Sequence, residues 1–141
     1  MMGDEFPTTW VFDVDASLFD SFTGSSLRPG ARELLTELHA TAGRVLLWSA
    51  GGAEYARARA TQHGIAELFD GFHDKEGRDE RGRYLVGGFL DDLAGVVFVD
   101  DRPEDLPMGA EIVVVPPYIA PNEHDRGLVR VASRAGFAPE A

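Results

Sequence analysis

The chain has 141 residues, so we expect a single domain over residues 1–141, and its 44% apolar composition is enough for a core. It contains no cysteine, which excludes disulfides and thiolate metal sites, and its formal net charge of −11 disfavours a nucleic-acid binder. Because we find neither a signal-peptide pattern nor an apolar run of roughly 20 residues, we expect a cytoplasmic protein that does not enter a membrane.

Buried strands alternate with helices along the first half of the chain. Residues 10–14 (WVFDV) have the continuous apolar character of a buried strand. A helical pattern follows from Pro29 to Gly43, with leucines on one face. Residues 45–48 predict a second buried strand. Residues 53–63 predict a second helix, which Gly64 ends.

The second half of the chain is less regular at first. Residues 71–92 show no clear period, and residues 79–83 (DERGR) predict a turn in a hairpin. Further strands are predicted at 96–99 and 112–115, and a terminal helix at 123–135. Strands that alternate with helices favour a three-layer α/β/α Rossmann-like parallel sheet, whose ligands bind at the carboxyl ends of the strands.

Polar residues stand at the ends of three predicted strands. Asp13 and Asp15 end the first, Ser49 ends the second, and Asp100 and Asp101 end the third. Several carboxylates at one sheet edge repel each other unless a cation binds among them. Ligands that are all oxygen suit Mg²⁺ better than Zn²⁺, so the pattern predicts a magnesium site.

Three further features of the sequence leave alternatives open. Lys75 is the only lysine, and a solvated loop residue is the alternative to a role in the site. Ser49 alone could simply cap the helix that follows it. Asp105 is either another acid of the site or the cap of a short helix near Pro103. If Lys75 has no role, a nearby arginine would supply the positive charge: Arg78, Arg81 or Arg83.

Three segments resemble the first, second and fourth motifs of the haloacid dehalogenase superfamily. They are residues 11–21 (VFDVDASLFDS), 46–50 (LLWSA) and 96–105 (VVFVDDRPED), each on or after a predicted strand. The resemblance covers residues 10–118. It implies a Mg²⁺-dependent hydrolase that acts on phosphomonoesters.

A closer resemblance is to the capless branch that includes the carboxy-terminal-domain phosphatase-like proteins. Four segments carry it: Arg28–Gly30, Glu54–Ala56, Val99–Asp101 followed by Pro103 and Glu104, and Pro116–Tyr118. That branch places its lysine nearer the fourth motif, whereas Lys75 has the longer spacing of the wider superfamily.

The superfamily resemblance implies a catalytic role for each acid. Asp13 would attack phosphorus and form an aspartyl-phosphate, and Asp15 would act as general acid and then general base. Mg²⁺ would be bound by Asp13, by the backbone carbonyl of Asp15 and by Asp100. Asp101 or Asp105 would assist directly or through water.

The same resemblance implies how the phosphate is bound. Ser49 and backbone N–H groups near Ala50 would hydrogen-bond it, and Lys75 would neutralise it together with the nucleophile. Too few residues separate Asp15 from Ser49, and Ser49 from Lys75, for a cap domain. We therefore expect an open site for a phosphoprotein, or for a small phosphomonoester if a partner chain closes the site. The oligomeric state stays open, a homo-oligomer included.

Other functions would fit parts of this pattern. A phosphotransferase of the same fold would pass the phosphoryl group to an alcohol, but an open site admits water. A receiver-like or regulatory phospho-binding module also gathers acids, a hydroxyl and a lysine. Its phosphorylated acid lies well into the chain and its lysine follows the hydroxyl residue at the last strand, unlike the order here.

Overall fold

The computed structural model describes residues 8–136. Five strands form one sheet in which every neighbouring pair is parallel, in the order β3-β2-β1-β4-β5. The strands are β1 (Thr9–Asp13), β2 (Arg44–Ser49), β3 (Gly71–Asp74), β4 (Val96–Asp100) and β5 (Glu111–Val114). The parallel Rossmann-like α/β fold expected from the sequence is thus confirmed.

Three α-helices accompany the sheet: α1 (Ala31–Thr41), α2 (Ala53–Gln62) and α3 (Val129–Ala135). Single 3₁₀ turns lie at Ala66–Leu68 and Pro103–Asp105. In the described part of the chain, no helix has the length and apolar character needed to cross a bilayer.

The predicted terminal helix over 123–135 was wrong in its first half, because α3 begins only at Val129. Before it, the side chain of Asn122 accepts the backbone N–H of His124, and that of Asp125 accepts the N–H of Gly127. Short polar side chains that bond to nearby backbone favour turns over a helix.

The segment 71–92 contains a strand that the sequence did not reveal. β3 is a four-residue edge strand with partly exposed residues, and it pairs with β2 so that Ser49 lies opposite Asp74. The turn predicted at 79–83 is present, since Asp79 N–H donates to Arg83 C=O at 2.8 Å.

The two faces of the sheet are covered differently. Strand side chains alternate between the faces, as the pleat requires. One face packs against all three helices and includes Trp10, Phe12, Val45, Leu47, Val97 and Val99. The other carries Val11, Leu46, Trp48, Val96 and Phe98, and irregular segments at 84–93 and 106–110 form its outer layer.

The order of the strands creates the crevice that holds the site. From β1 the chain moves through α1 and α2 to β2 and β3 on one side, whereas β4 and β5 lie on the other. Open α/β sheets bind ligands at such a switch point, outside the carboxyl ends of the strands. Phe12 lies opposite Val99, so Asp13 and Asp100 follow side by side. Within residues 8–136, no separate cap domain accompanies the sheet.

Candidate active site

Asp13 is the last residue of β1 and its side chain is buried. Its Oδ1 accepts a hydrogen bond from Lys75 Nζ at 2.7 Å, and its Oδ2 accepts one from Ser17 Oγ at 3.2 Å. Both carboxylate oxygens therefore have a fixed partner, and the side chain is held in one orientation.

Two acids from the end of β4 join Asp13. Asp13, Asp100 and Asp101 each offer a carboxylate oxygen, and these atoms lie within 4.8 Å of one another. Asp100 Oδ1 accepts the backbone N–H of Arg102 at 2.9 Å. Asp100 Oδ2 is buried and has no hydrogen-bond partner among the described residues. A buried carboxylate oxygen without a donor is costly, and a cation is the ligand that would satisfy it.

The pKa values of the two buried acids reflect their crowding. Burial raises the pKa of Asp13 to about 6, against the lowering effect of Lys75. Burial and the Asp13 charge raise the pKa of Asp100 to about 8. A divalent cation bound among them would favour the ionised form of both carboxylates. The residues present thus fit Mg²⁺, a hard ion that takes oxygen ligands.

Lys75 reaches the acids because β3 pairs with β2. Its backbone N–H donates to Ser49 C=O at 3.0 Å, which places it at the carboxyl edge of the sheet. Its Nζ lies 2.7 Å from Asp13 Oδ1 and 3.7 Å from Asp100 Oδ2. Burial alone would lower the pKa of Lys75, but the charges of Asp13 and Asp100 outweigh it and the pKa is raised.

Aromatic rings surround the lysine. Nζ lies 5.0 Å from the ring centroid of Trp48 and 5.0 Å from that of Tyr84, distances typical of cation–π contacts. The arginines of the neighbouring loop bond elsewhere: Arg78 to Asp105 and Arg83 to the Leu106 carbonyl. Lys75 is thus the cation that the fold brings to Asp13.

Ser49 ends β2 and is buried at the start of a tight turn. Its Oγ accepts the N–H of Gly51 at 2.9 Å, and Ala50 between them is exposed. Ser49 does not cap α2, because Gly52 occupies the cap position and the Asp74 carboxylate accepts the Ala53 N–H. The Ser49 hydroxyl therefore lies at the carboxyl edge of the sheet and is bonded to the turn that follows, not to the helix.

Asp15 is exposed, unlike Asp13. β1 ends at Asp13, and Ala16 adopts a left-handed conformation with φ of 68°, so the chain bends sharply here. The Tyr55 hydroxyl donates to Asp15 Oδ1 at 2.8 Å and accepts from Arg59 Nη2 at 3.1 Å. The two acids of the first motif thus differ in exposure and in hydrogen-bond partners.

Asp105 lies outside the group of three acids. Its Oδ1 accepts from Arg78 at 3.1 Å and its Oδ2 from Arg102 at 3.0 Å. Burial would raise the pKa of Asp105, but its bonds to the two arginines lower it. Of the two candidates for a second acid after β4, the fold brings Asp101 to the cluster. Asp105 closes the 3₁₀ turn without capping it.

Ser17 and Tyr55 each hydrogen-bond a motif acid, a role that the sequence did not predict. Ser17 lies four residues after Asp13, in the turn where Leu18 N–H bonds to Val14 C=O, and that spacing could have suggested the contact. Tyr55 lies 40 residues from Asp15, and only the packing of α2 joins them. No local pattern in the sequence carries that information.

No protein-family model and no curated protein sequence matches the chain. Among solved structures, it is similar to the core domain of a putative phosphoglycolate phosphatase from Streptococcus pneumoniae TIGR4, determined by NMR. The similarity covers 89% of this chain and 88% of that one, with a TM-score of 0.55 and 15% sequence identity. At this identity, the likeness establishes a common fold.

Proposed function

We propose that the protein is a Mg²⁺-dependent phosphomonoester hydrolase that forms an aspartyl-phosphate on Asp13 in an open, capless site. The observation that carries this proposal is that carboxylate oxygens of Asp13, Asp100 and Asp101 lie within 4.8 Å of one another, beside a lysine whose side chain is 8% exposed. The motif resemblance to capless phosphatases of the haloacid dehalogenase superfamily supports it, as does the common fold with a structure named as a phosphatase.

The metal site would use the oxygens already gathered at the crevice. Asp13, Asp100 and Asp101 would hold Mg²⁺ through their carboxylates, together with the backbone carbonyl of Asp15. Bound there, Mg²⁺ would offset the repulsion between the Asp13 carboxylate and the phosphate.

The reaction divides into two displacements at phosphorus. In the first, an Asp13 carboxylate oxygen bonds to phosphorus while the bond to the leaving alcohol oxygen breaks, and Asp15 gives that oxygen its proton. In the second, water attacks the phosphorus and loses a proton to Asp15. The bond to Asp13 breaks, which releases inorganic phosphate and restores both acids.

The remaining site residues would bind the phosphate. The Ser49 hydroxyl and the backbone N–H groups around Ala50 lie in the turn that leads into α2, and such groups can hydrogen-bond a phosphate oxygen. Lys75 would neutralise negative charge on the nucleophile and on the phosphoryl oxygens. Its contact with Asp13 at 2.7 Å supports this role.

The substrates that we propose are those that can enter an exposed site. Asp15 is exposed and no cap covers the crevice in the described residues, so a phosphoprotein can reach the site. A small phosphomonoester is the other candidate, with a partner chain closing the site. Phosphorylated nucleic acids are disfavoured because the net charge is −11.

The strand order argues against a receiver-like module. Such flavodoxin-like signalling domains have the order 2-1-3-4-5, whereas this sheet has the order 3-2-1-4-5. A phosphotransferase is less favoured than a hydrolase because nothing in residues 8–136 closes the site against water.

Hydrolysis of an aryl phosphate tests the proposal. We expect Mg²⁺-dependent release of phosphate that EDTA abolishes and that Asp13→Asn lowers by about a thousandfold or more. Asp92→Asn is the matched control, since Asp92 lies before the amino end of β4 and its Oδ1 accepts the Ala94 N–H, which an asparagine can also do. Equal rates for wild type and Asp13→Asn would refute the proposal that the protein is an enzyme acting through Asp13.

A further inference from the structure

A hydrogen-bonded chain leads from α2 to the Asp15 carboxylate. The Tyr55 hydroxyl donates to Asp15 Oδ1 at 2.8 Å, and Arg59 Nη2 donates to the Tyr55 hydroxyl at 3.1 Å. Tyr55 and Arg59 are four residues apart, so they lie on one face of the helix. Among residues 8–136, no other donor hydrogen-bonds the Asp15 side chain.

The direction of each hydrogen bond follows from the chemistry of the groups. Arginine has donors and no acceptor, so the Tyr55 oxygen must accept from Arg59. The single hydroxyl proton of Tyr55 is then directed at Asp15. The charge on Arg59 polarises the hydroxyl and strengthens this second bond. Asp15 Oδ1 is committed as an acceptor, and Oδ2 remains the oxygen that can carry a proton.

Two glycines make room for this chain. A Cβ at Gly51 would lie 2.9 Å from Tyr55 Cδ2, and a Cβ at Gly24 would lie 2.4 Å from Arg59 Cζ. Gly24 also has a positive φ of 68°. The loops after β1 and β2 thus leave space for the tyrosine ring and the guanidinium, which is further fixed by Gln62 Oε1 at 2.9 Å.

An exposed aspartate needs such support if it is to transfer protons. Asp15 lies on a sharp bend, and a solvated side chain samples several rotamers. A general acid must stay within hydrogen-bonding reach of the leaving oxygen. In the described residues no cap covers Asp15, so neighbouring side chains of the same domain must hold it.

We propose that Tyr55 and Arg59 are positioning residues that fix Asp15 through Oδ1 and leave Oδ2 free for proton transfer. This inference rests on the proposed function, in which Asp15 is the general acid and base. It assigns Arg59 an indirect role, exerted through the Tyr55 hydroxyl.

The dependence on the leaving group tests the proposal. An alkyl alcohol needs a proton to depart, whereas dinitrophenolate departs readily as an anion. We expect Tyr55→Phe to lower kcat/KM for an alkyl phosphate by about tenfold, the effect of one lost hydrogen bond, and to change it by less than about twofold for dinitrophenyl phosphate. Arg59→Met should act in the same direction but less strongly. It should add nothing in the Tyr55→Phe background.

A matched control is Tyr118→Phe, which removes a hydroxyl bonded to Ser26 Oγ at 2.7 Å, outside the acid cluster. It should leave the ratio of the two kcat/KM values unchanged. Crystal structures should show Asp15 in one rotamer in wild type and in more than one in Tyr55→Phe.

Three results would overturn the positioning role: equal losses on both substrates, no loss on either, or an unchanged single Asp15 rotamer in Tyr55→Phe. Each is distinguishable from failure of the proposed function, because in that case wild type itself would show no Mg²⁺-dependent hydrolysis. Thermal melts identify a folding defect in Tyr55→Phe, and Arg59→Met then provides the same comparison of substrates.

Discussion

At the scale of single residues, the site depends on the balance of charge around Asp13. The carboxylate is buried between Lys75 Nζ at 2.7 Å and Ser17 Oγ at 3.2 Å. Two more acids approach within 4.8 Å, so three carboxylates gather beside one lysine, which pairs with Asp13 and Asp100. The lysine in turn is confined between the rings of Trp48 and Tyr84. The ammonium group of Lys75 is therefore held in a fixed position next to the Asp13 carboxylate.

Replacing this lysine should slow the reaction markedly. We predict that Lys75→Met lowers kcat/KM for an aryl phosphate by about a hundredfold, the usual loss for one preorganised charge in a site. Arg81→Met, an exposed residue of the same loop, is the control for loss of positive charge. If steady-state kinetics showed a normal rate for Lys75→Met, an arginine and not Lys75 would neutralise the charge of the phosphate.

At the scale of elements, an ion pair between the buried Arg28 and the partly exposed Asp125 fixes the C-terminal segment to the loop after β1. Arg28 is fully buried and bonds Asp125 Oδ1 at 2.6 Å and the Pro116 carbonyl at 2.6 Å. It also donates to the Ser17 carbonyl at 3.2 Å, next to the acids of the site. Gly127 leaves space for it, since a Cβ there would lie 1.8 Å from Arg28 Nη2.

Replacing Arg28 should leave the Asp125 carboxylate without its ion-pair partner. We expect Arg28→Met to lower the free energy of unfolding by about 3 kcal/mol, because Asp125 loses its ion-pair partner and the Ser17 and Pro116 carbonyls lose a donor. Arg134→Met breaks the exposed pair with Glu111 and should cost less than about 1 kcal/mol. Urea unfolding measures both, and equal losses would show that Arg28 is not an anchor.

The sequence predicted the strands that have a continuous apolar run, including the partly exposed β5. β1, β2 and β4 have nearly uniform burial, and the polar residues at their ends, Asp13, Ser49 and Asp100, follow from the rule for strand ends. β3 escaped prediction because its four residues are half exposed and carry no such run. Lys75 reaches Asp13 because β3 pairs with β2. The sequence could therefore identify the lysine as a candidate but could not show its contact with Asp13. The bond from Tyr55 to Asp15 depends on packing between distant segments and has no local signature.

At the scale of the whole molecule, buried acids make stability depend on pH. The pKa of Asp100 is raised from 3.8 to about 8, so the folded chain binds a proton that the unfolded chain has lost. Stability must therefore fall as pH rises through this window. The pKa of His73 is lowered from 6.5, chiefly by burial. This histidine makes stability rise with pH, the opposite of Asp100, but only up to about pH 6.5. At higher pH, the loss of stability caused by Asp100 remains.

The melting temperature should therefore fall between pH 7 and pH 8 without metal. Mg²⁺ binds the ionised acids and should raise the Tm more at pH 8 than at pH 7. Asp100→Asn should remove both the slope and the response to Mg²⁺. A wild-type Tm that rises over this interval in differential scanning calorimetry would contradict the assigned burial of the acid.

The most direct measurement is detection of the phosphoryl group on the chain. Wild-type protein with Mg²⁺ and a phosphomonoester is quenched in acid during turnover, digested and mapped by mass spectrometry. We predict one phosphorylated peptide, with the modification on Asp13 and none in Asp13→Asn. Phosphorylation of a different residue, or full turnover by Asp13→Asn, would contradict the account.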